Sequence, residues 1–401
     1  MGSVERDLYN VPVFNIHTAF DGDHPMSSYR TDQWREWLPR LAQAGLAGDR
    51  QRLELLLMTM IRSLRRDSPD LSEKLGSLLA QYAANPNGLR WVESGPPPTD
   101  TEEGLALVQV LPTDDAPMPI LPSDPMDQVN QFLQERKQCV HLFSEGFAPP
   151  SSILLIGAPG TGKSMLATWL AHSLGLPLLV QDLASSISSF LGKTGLNLRR
   201  TLDYARSRPC VMLLDEFDAI AKRRDDISEV GELKRIVNVL LKELETWPSH
   251  SVLVAATNHP DLLDQAIRRR FNVVLTLPMP GEDERARILE RAAGRLAPEV
   301  PDLLLRACAR SLGEISGSDL ETLMHSAVRR HLTTAVPMTK CLLLQTQSYW
   351  NGRTAKKGMG ELIRALRDAS NETYTVRELA TLFDRSASTI QHHLSNRGAD
   401  A

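Results

Sequence analysis

Apolar positions along the chain change period several times, and each change marks a different kind of element. Residues 1–30 mix Pro, Asp, His and Gly without period and read as an irregular arm. Trp34, Trp37 and Leu38 mark a helix ending near Pro39 or Gly45. Leu53, Leu56, Leu57, Met60, Ile61 and Leu64 recur at helical spacing, as do Leu71, Leu75, Leu78, Leu79 and Tyr82. Residues 1–93 therefore read as the arm plus a bundle of three short amphipathic helices, serving either as a substrate or partner adaptor or as a packing module. Eight prolines between Pro96 and Pro125 make 94–125 an extended linker. A helix is expected from Met126 to about Phe143. Short unbroken apolar runs then alternate with helical patterns: Ile153–Ile156, Leu176–Val180, Cys210–Leu214, Ser251–Ala256 and Val273–Leu277. That alternation predicts an α/β domain over 126–281 with a mainly parallel sheet. From Glu282 to about Leu332 the pattern is purely helical, so 282–336 forms an all-α segment. Lys356 and Lys357 in a glycine-flanked stretch make 337–358 a second linker. Met359–Ala369, Thr375–Phe383 and Ser386–Leu394 are helices of a small all-α domain over 359–401, with Thr375 and Glu378 as a capping box and Ser386 as an N-cap.

Composition narrows this picture. The 401 residues carry a formal net charge of −4, which excludes a protein that coats nucleic acid or anionic membrane along its length. Cys139, Cys210, Cys308 and Cys341 stand far apart and form no Cys-x-x-Cys pair, which suits a reducing compartment and neither a zinc site nor a disulfide framework. No run of about 18 apolar residues exists to span a membrane. The first residues, Met1 to Asp7, lack the apolar centre of a signal peptide. A soluble, cytoplasmic protein is expected.

The chemistry concentrates after the first apolar run. Gly157, Gly160, Gly162, Lys163 and Ser164 fit G-x-x-x-x-G-K-[ST], with an apolar strand before and a helix after. Glycines let successive N–H groups turn inward around a phosphate, and the helix start adds the positive end of a peptide dipole. Lys163 reaches the β- and γ-phosphates, and the Ser164 hydroxyl is a hard oxygen ligand for Mg²⁺. The chain is therefore expected to bind a nucleoside triphosphate. Asp215 and Glu216 follow a buried strand about fifty residues later, where ligands of open parallel sheets bind. Asp215 is placed to hold Mg²⁺, and Glu216 to polarise the water that attacks the γ-phosphate. Asn258 ends the neighbouring strand and would orient the same water. Pro119 to Pro122 is a candidate to lie against the base.

This set, with Ala256-Thr-Asn258 and Asp264-Gln-Ala-Ile-Arg-Arg-Arg-Phe271, resembles the AAA+ ATPases, specifically the core AAA clade, over roughly Pro119–Leu332. The resemblance implies an α/β P-loop NTPase fold, a parallel sheet with a helical lid, that hydrolyses ATP with Mg²⁺. By match, Gly157, Ala158, Pro159, Gly160, Thr161, Gly162, Lys163 and Ser164 are Walker A, with Met165 beside them; Asp215 and Glu216 are Walker B; and Asn258 is sensor 1. Gly317 and Ser318 open the lid segment Gly317-Ser-Asp-Leu320 and are implied to touch the nucleotide. Arg269 and Arg270 match paired arginine fingers that act on a neighbouring subunit, which implies a ring, a homo-hexamer. Phe190, Leu191 and Gly192 resemble the pore loop that grips an extended polypeptide; the other reading of Phe190 is a core position in a short helix. Ala158 and Ser164 replace the commoner Pro and Thr, and Phe-Leu the commoner Tyr-Val. The segment between Asp215 and Asn258 is expected as one long helix.

The last two helices resemble a helix-turn-helix. In that reading Ser388, Thr389, Gln391 and His392 face bases and Arg385 lies near phosphate. Residues 351–401 hold eight Lys or Arg against six Asp or Glu, a thin basic footprint, so a protein-docking unit is the other reading. The expected function is an ATP-driven, ring-forming remodeller that pulls a polypeptide through a pore. These residues contain no His-Glu-x-x-His, so any proteolysis would need a separate protease or effector partner. The alternative is a nucleotide-controlled DNA-binding regulator or assembly factor.

Overall fold

The computed structural model describes residues 28–46, 50–84, 96–99, 106–185, 194–219, 240, 242–244, 246–350, 355–369 and 374–395. The chain divides into two units, residues 1–60 and 61–401. The first holds α1 (Ser28–Leu46) and most of α2 (Arg50–Leu64). Helix α1 runs through both Pro39 and Gly45, so the expected stop at Pro39 does not operate. The second unit begins with the end of α2 and α3 (Pro69–Ala84), which packs on α5 (Cys139–Ser144). Arg62 Nε donates to the Gly146 carbonyl at 2.6 Å, and its guanidinium lies over the Phe147 ring.

Six strands form one sheet: β1 (Gln109–Leu111), β2 (Ser152–Ile156), β3 (Leu178–Asp182), β4 (Val211–Asp215), β5 (Val252–Thr257) and β6 (Val273–Thr276). The order is β1-β3-β4-β5-β2-β6, with β1 antiparallel on one edge and all other pairings parallel. Strands β2 and β5 are buried along their whole length because both faces are covered, which is why they read as unbroken apolar runs. Alternate residues serve opposite faces. Ile153, Leu155, Leu213 and Val254 pack with Phe132 of α4 (Ser123–Lys137) and with Leu166 and Leu170 of α6 (Lys163–Leu174). Leu154, Met212, Leu214 and Leu253 pack with Leu198 and Leu202 of α7 (Thr194–Arg206). Parallel pairing brings the carboxyl ends of β2, β4 and β5 to one edge, with Ile156 opposite Thr257 and Leu214 opposite Ala255.

After β5 come a 3₁₀ turn (Pro260–Leu262) and the short α8 (Gln265–Arg268). Beyond β6 lies a helical region of α9 (Glu282–Ala293), α10 (Asp302–Ser311), α11 (Gly317–Thr334), α12 (Met338–Trp350), α13 (Ala355–Ala369), α14 (Val376–Phe383) and α15 (Ala387–Ser395). The capping box at Thr375 forms, with Glu378 N–H donating to Thr375 Oγ1 at 3.3 Å and Thr375 N–H to Glu378 Oε2 at 2.8 Å.

Four expectations are corrected. The stretch 94–125 is not all linker: Gln109–Leu111 adds an edge strand beside β3. The single helix from Met126 to Phe143 begins at Ser123 and breaks at Gln138 into α4 and α5. The stretch 337–358 is no linker either, for α12 buries Met338, Cys341, Leu342, Leu343 and Trp350 at helical spacing. Gly358, which looks like a linker glycine, lies under the Trp350 ring, where a Cβ would stand 2.2 Å from Cδ2. Helices α13 to α15 join the same apolar core as α9 to α11, through Leu362, Ile363, Leu366, Leu379, Phe383 and Ile390. The helices of the expected separate domain over 359–401 thus share one core with the helical region that begins at Glu282.

Candidate active site

Gly157 to Gly162 connect β2 to α6, and the loop turns through left-handed backbone at Gly160 (φ 76°) and Gly162 (φ 93°). Only glycine takes such angles freely. Gly160 is constrained twice over, since a Cβ there would lie 2.5 Å from Ser318 Oγ and 2.7 Å from Ser316 Oγ. The loop therefore sits directly against the first turn of α11, and the Ser318 N–H donates to the Gly160 carbonyl at 3.3 Å. Gly162 caps α6 without a side-chain acceptor, leaving the first N–H groups of that helix for an anion.

Lys163 is 7% exposed. Its Nζ donates to the carbonyls of Gly157 (2.8 Å) and Ala158 (3.0 Å) and to Asn258 Oδ1 (2.7 Å). Burial lowers the Lys163 pKa below its ordinary value, and the charges of Asp215 and Asp218 oppose that shift. Ser164 Oγ donates to Asp215 Oδ2 at 3.0 Å, so the two oxygens expected to hold Mg²⁺ are side by side. Hard oxygens so placed, beside a phosphate loop, fit a cation that takes few protein ligands and completes its shell from phosphates and water. Asp215 Oδ1 accepts from the Glu216 N–H at 2.9 Å. Glu216 has a φ of 52°, a left-handed backbone unusual for a non-glycine residue. Such angles persist where the surroundings impose them, and they gather at functional sites.

Sequence reasoning gave no role to Asp218, although it stands three residues after Asp215. It is buried and accepts from the Thr257 hydroxyl at 3.1 Å and the Asn258 N–H at 3.2 Å. The carboxylate thus fixes the backbone that carries Asn258. In the sequence Asp218 is one acid among several after the strand, with nothing local to single it out.

These groups edge a cleft of about 340 Å³. Pro159 to Met165, Asp215, Glu216 and Asn258 line one part of it; Pro119, Ile120, Leu121, Ile288, Arg291, Gly317, Ser318 and Glu321 line the rest. Gly157, Ala158 and Thr161 shape the loop, with Thr161 Oγ1 donating to the Ala158 carbonyl at 2.9 Å. Ile288, Arg291 and Glu321 were invisible to spacing, because only the packing of α9 against α11 delivers them.

Arg269 and Arg270 lie outside this cleft lining. Arg269 is exposed and Arg270 half-buried, while Arg268 turns back to donate to the Pro260 carbonyl. Phe190, Leu191 and Gly192, and most of the expected helix between Asp215 and Asn258, lie outside the described residues. On α15 and the turn before it, Arg385, Ser388, Gln391 and His392 are exposed. Thr389 is half-buried, its hydroxyl 2.8 Å from Ser386 Oγ. Among the described residues, no helix is long and apolar enough to cross a membrane.

Comparison with known proteins matches residues 153–279 to the ATPase family associated with various cellular activities (AAA). An uncharacterized AAA family ATPase of Sinorhizobium fredii is 43% identical over 149 residues, 37% of this chain and 45% of that protein. An ATP-dependent zinc metalloprotease FtsH of Acidothermus cellulolyticus is 36% identical over 190 residues, 45% of this chain and 28% of its own length. The proteasome-activating nucleotidase of Methanothermobacter thermautotrophicus is 30% identical over 251 residues, 56% of this chain and 61% of that protein. The chain spans less than two thirds of each of these relatives. The glycine loop, the Asp-Glu strand end and the strand-terminal Asn that meet at one sheet edge all lie within the matched residues, and the chain carries an AAA ATPase domain.

Proposed function

We propose that this domain binds ATP with Mg²⁺ in the cleft, hydrolyses it to ADP and phosphate, and acts within a homo-hexameric ring that pulls on a polypeptide. The observation that carries the catalytic part is the convergence of Ser164, Asp215, Glu216 and Asn258 from three strand ends around the buried Lys163. Ser164 and Asp215 would hold Mg²⁺, which neutralises charge on the β- and γ-phosphate oxygens when bound. Lys163 supplies a positive charge at the loop mouth. Glu216 accepts the proton of the attacking water, and Asn258 orients that water by hydrogen bond. Arg269, exposed and outside its own cleft lining, suits an arginine that completes a neighbour's site. A ring follows from that role. Relatives named as a proteasome-activating nucleotidase and a metalloprotease favour a polypeptide cargo gripped by Phe190, Leu191 and Gly192, with a separate protease or effector downstream. A cytoplasmic setting belongs to the same reading.

The test is the Glu216→Gln protein. It should bind ATP normally but turn over at least about a hundredfold more slowly. Trapped with ATP in cell extract, it should retain polypeptide, and less of it when Phe190→Ala is added. Unchanged turnover would overturn the active-site assignment. Recovery of DNA in place of polypeptide would favour the second reading, for which the exposed Arg385, Ser388, Gln391 and His392 are the supporting observation.

A further inference from the structure

The two ends of the cleft differ in chemistry. The phosphate end is built from loop N–H groups, Lys163, Ser164, Asp215 and Asn258. The other end is lined by Pro119, Ile120, Leu121, Met165, Ile288 and Gly317, all without a polar side chain. Two charged residues interrupt this apolar surface, Arg291 from α9 and Glu321 from α11, each about one-third exposed. Both terminal nitrogens of Arg291 are engaged. It donates to the Met118 carbonyl at 2.8 Å and to Glu321 Oε1 at 3.1 Å, and touches Met165 Sδ at 3.7 Å. Glu321 is committed on one oxygen only: among the described residues nothing donates to Oε2. Partly exposed ion pairs add little stability, so stability alone does not account for a charged pair at an apolar cleft end. A nucleoside, by contrast, presents there a flat base suited to the apolar residues and two sugar hydroxyls that need acceptors. A carboxylate is a strong acceptor for such hydroxyls, as in the acidic residue that reads the ribose of dinucleotides.

We propose that Glu321, oriented by Arg291, is the ribose-reading group of this site and accepts a hydrogen bond from the 2′- or 3′-hydroxyl of the bound nucleotide. The proposal rests on the ATP-binding reading above and adds a sugar preference to it. Arg291 is a positioning residue: it ties the lid helices to the segment at Met118 and fixes the carboxylate that touches the sugar.

The test measures equilibrium binding of ATP, 2′-deoxy-ATP and 3′-deoxy-ATP, each with Mg²⁺, to the full chain. The wild type should prefer ATP over at least one deoxy form by about tenfold or more, the worth of one hydrogen bond to a charged group. Glu321→Ala should lose that factor for ATP and leave the disfavoured deoxy form unchanged, so the preference disappears. Arg291→Ala should erase most of the same preference, and Glu321→Gln, the conservative variant, should keep part of it. Equal affinity of the wild type for all three nucleotides, or an equal loss for all three in Glu321→Ala, would overturn the proposal while leaving ATP binding intact. A wild type that binds none of them would overturn the ATP reading itself.

Discussion

Asp218 tests how far a buried carboxylate organises the catalytic edge. Asp218→Asn keeps the size of the side chain and one acceptor oxygen while removing the charge. Asp218 is 3% exposed and takes hydrogen bonds from Thr257 Oγ1 (3.1 Å) and the Asn258 N–H (3.2 Å). A bond to a charged group contributes about 1.5–3 kcal/mol and a neutral one about 0.5–1.5 kcal/mol. Two bonds weakened in this way cost about 2–3 kcal/mol. Each kcal/mol moves Tm by about 2–4 °C for a domain of about 150–250 residues, so the variant should melt about 4–12 °C lower. Asn258 also holds Lys163 Nζ at 2.7 Å, so a loosened Asn258 disturbs the glycine-loop end of the cleft. Turnover of ATP should fall by about ten- to a hundredfold, the usual cost of a misplaced catalytic group. A variant melting within a degree of the wild type with unchanged turnover would refute this account of Asp218.

The same substitution has a pH signature. Burial lowers the Lys163 pKa from its ordinary 10.5, and Asp218 is one of two charges that raise it again. Between the lowered pKa and 10.5 the unfolded chain binds more protons than the folded one, so stability rises with pH in that window, by at most about 1.4 kcal/mol per pH unit. Removing the Asp218 charge lowers the folded pKa further, and the rise should begin at lower pH. Melting curves of the two proteins without nucleotide, measured from neutral to alkaline pH, compare the onsets directly. Coincident onsets would show that Asp218 does not act on Lys163.

Two further outcomes follow from the placement of side chains. Arg269→Ala should bind ATP within about threefold of the wild type yet lose about 10³-fold or more in turnover. Mixing it with Glu216→Gln subunits should restore part of that turnover, because each supplies what the other lacks; no restoration would show that Arg269 does not act on a neighbour. Burial pushes the Cys210 and Cys308 thiols up to about 12, so neither should react with iodoacetamide at pH 8 until denaturant is added. Mass spectrometry of the labelled native protein would detect a failure.

The elements legible in the sequence are those whose reasons are local. The glycine loop declares itself because Gly160 and Gly162 need left-handed backbone, and β2, β4 and β5 because burial on both faces leaves no polar residue to break the run. Thr375 and Glu378 announced their helix start for the same reason. What stayed hidden depends on contacts between distant segments. Asp218 reads as one acid among several until β5 brings Thr257 and Asn258 to it. Arg291 and Glu321 are 30 residues apart, and they meet only because α9 packs on α11. Gly358 misled for a related reason. Two lysines in a glycine-flanked stretch signal a linker locally, whereas here Gly358 makes room for the Trp350 ring.

That misreading changes what a truncation should do. If residues 359–401 formed a separate module, ending the chain after Trp350 would leave the ATPase intact. Instead α13 packs on α10, and Leu362, Ile363, Leu366, Leu379, Phe383 and Ile390 are each at most 5% exposed within the core shared with α9 to α12. Burying one such side chain contributes about 1.5–3 kcal/mol. Six of them contribute about 9–18 kcal/mol before the entropy of ordering their helices is subtracted. That is comparable with the whole net stability of a typical domain, about 5–15 kcal/mol. A chain ending at Trp350 should therefore lose amide-exchange protection across α9 to α12, although none of those residues is removed. The loss should reach the nucleotide, because Ser318 at the start of α11 holds the Gly160 carbonyl and Gly317, Ser318 and Glu321 line the cleft. ATP binding should weaken by at least about tenfold, the equivalent of 1.4 kcal/mol. Retained protection in α10 and α11 together with wild-type ATP affinity would mean that the last three helices merely rest on a helical region that folds without them. Loss of both would make the C-terminal helices part of the ATPase itself, so that anything docking on their exposed face acts on the helices that line the cleft.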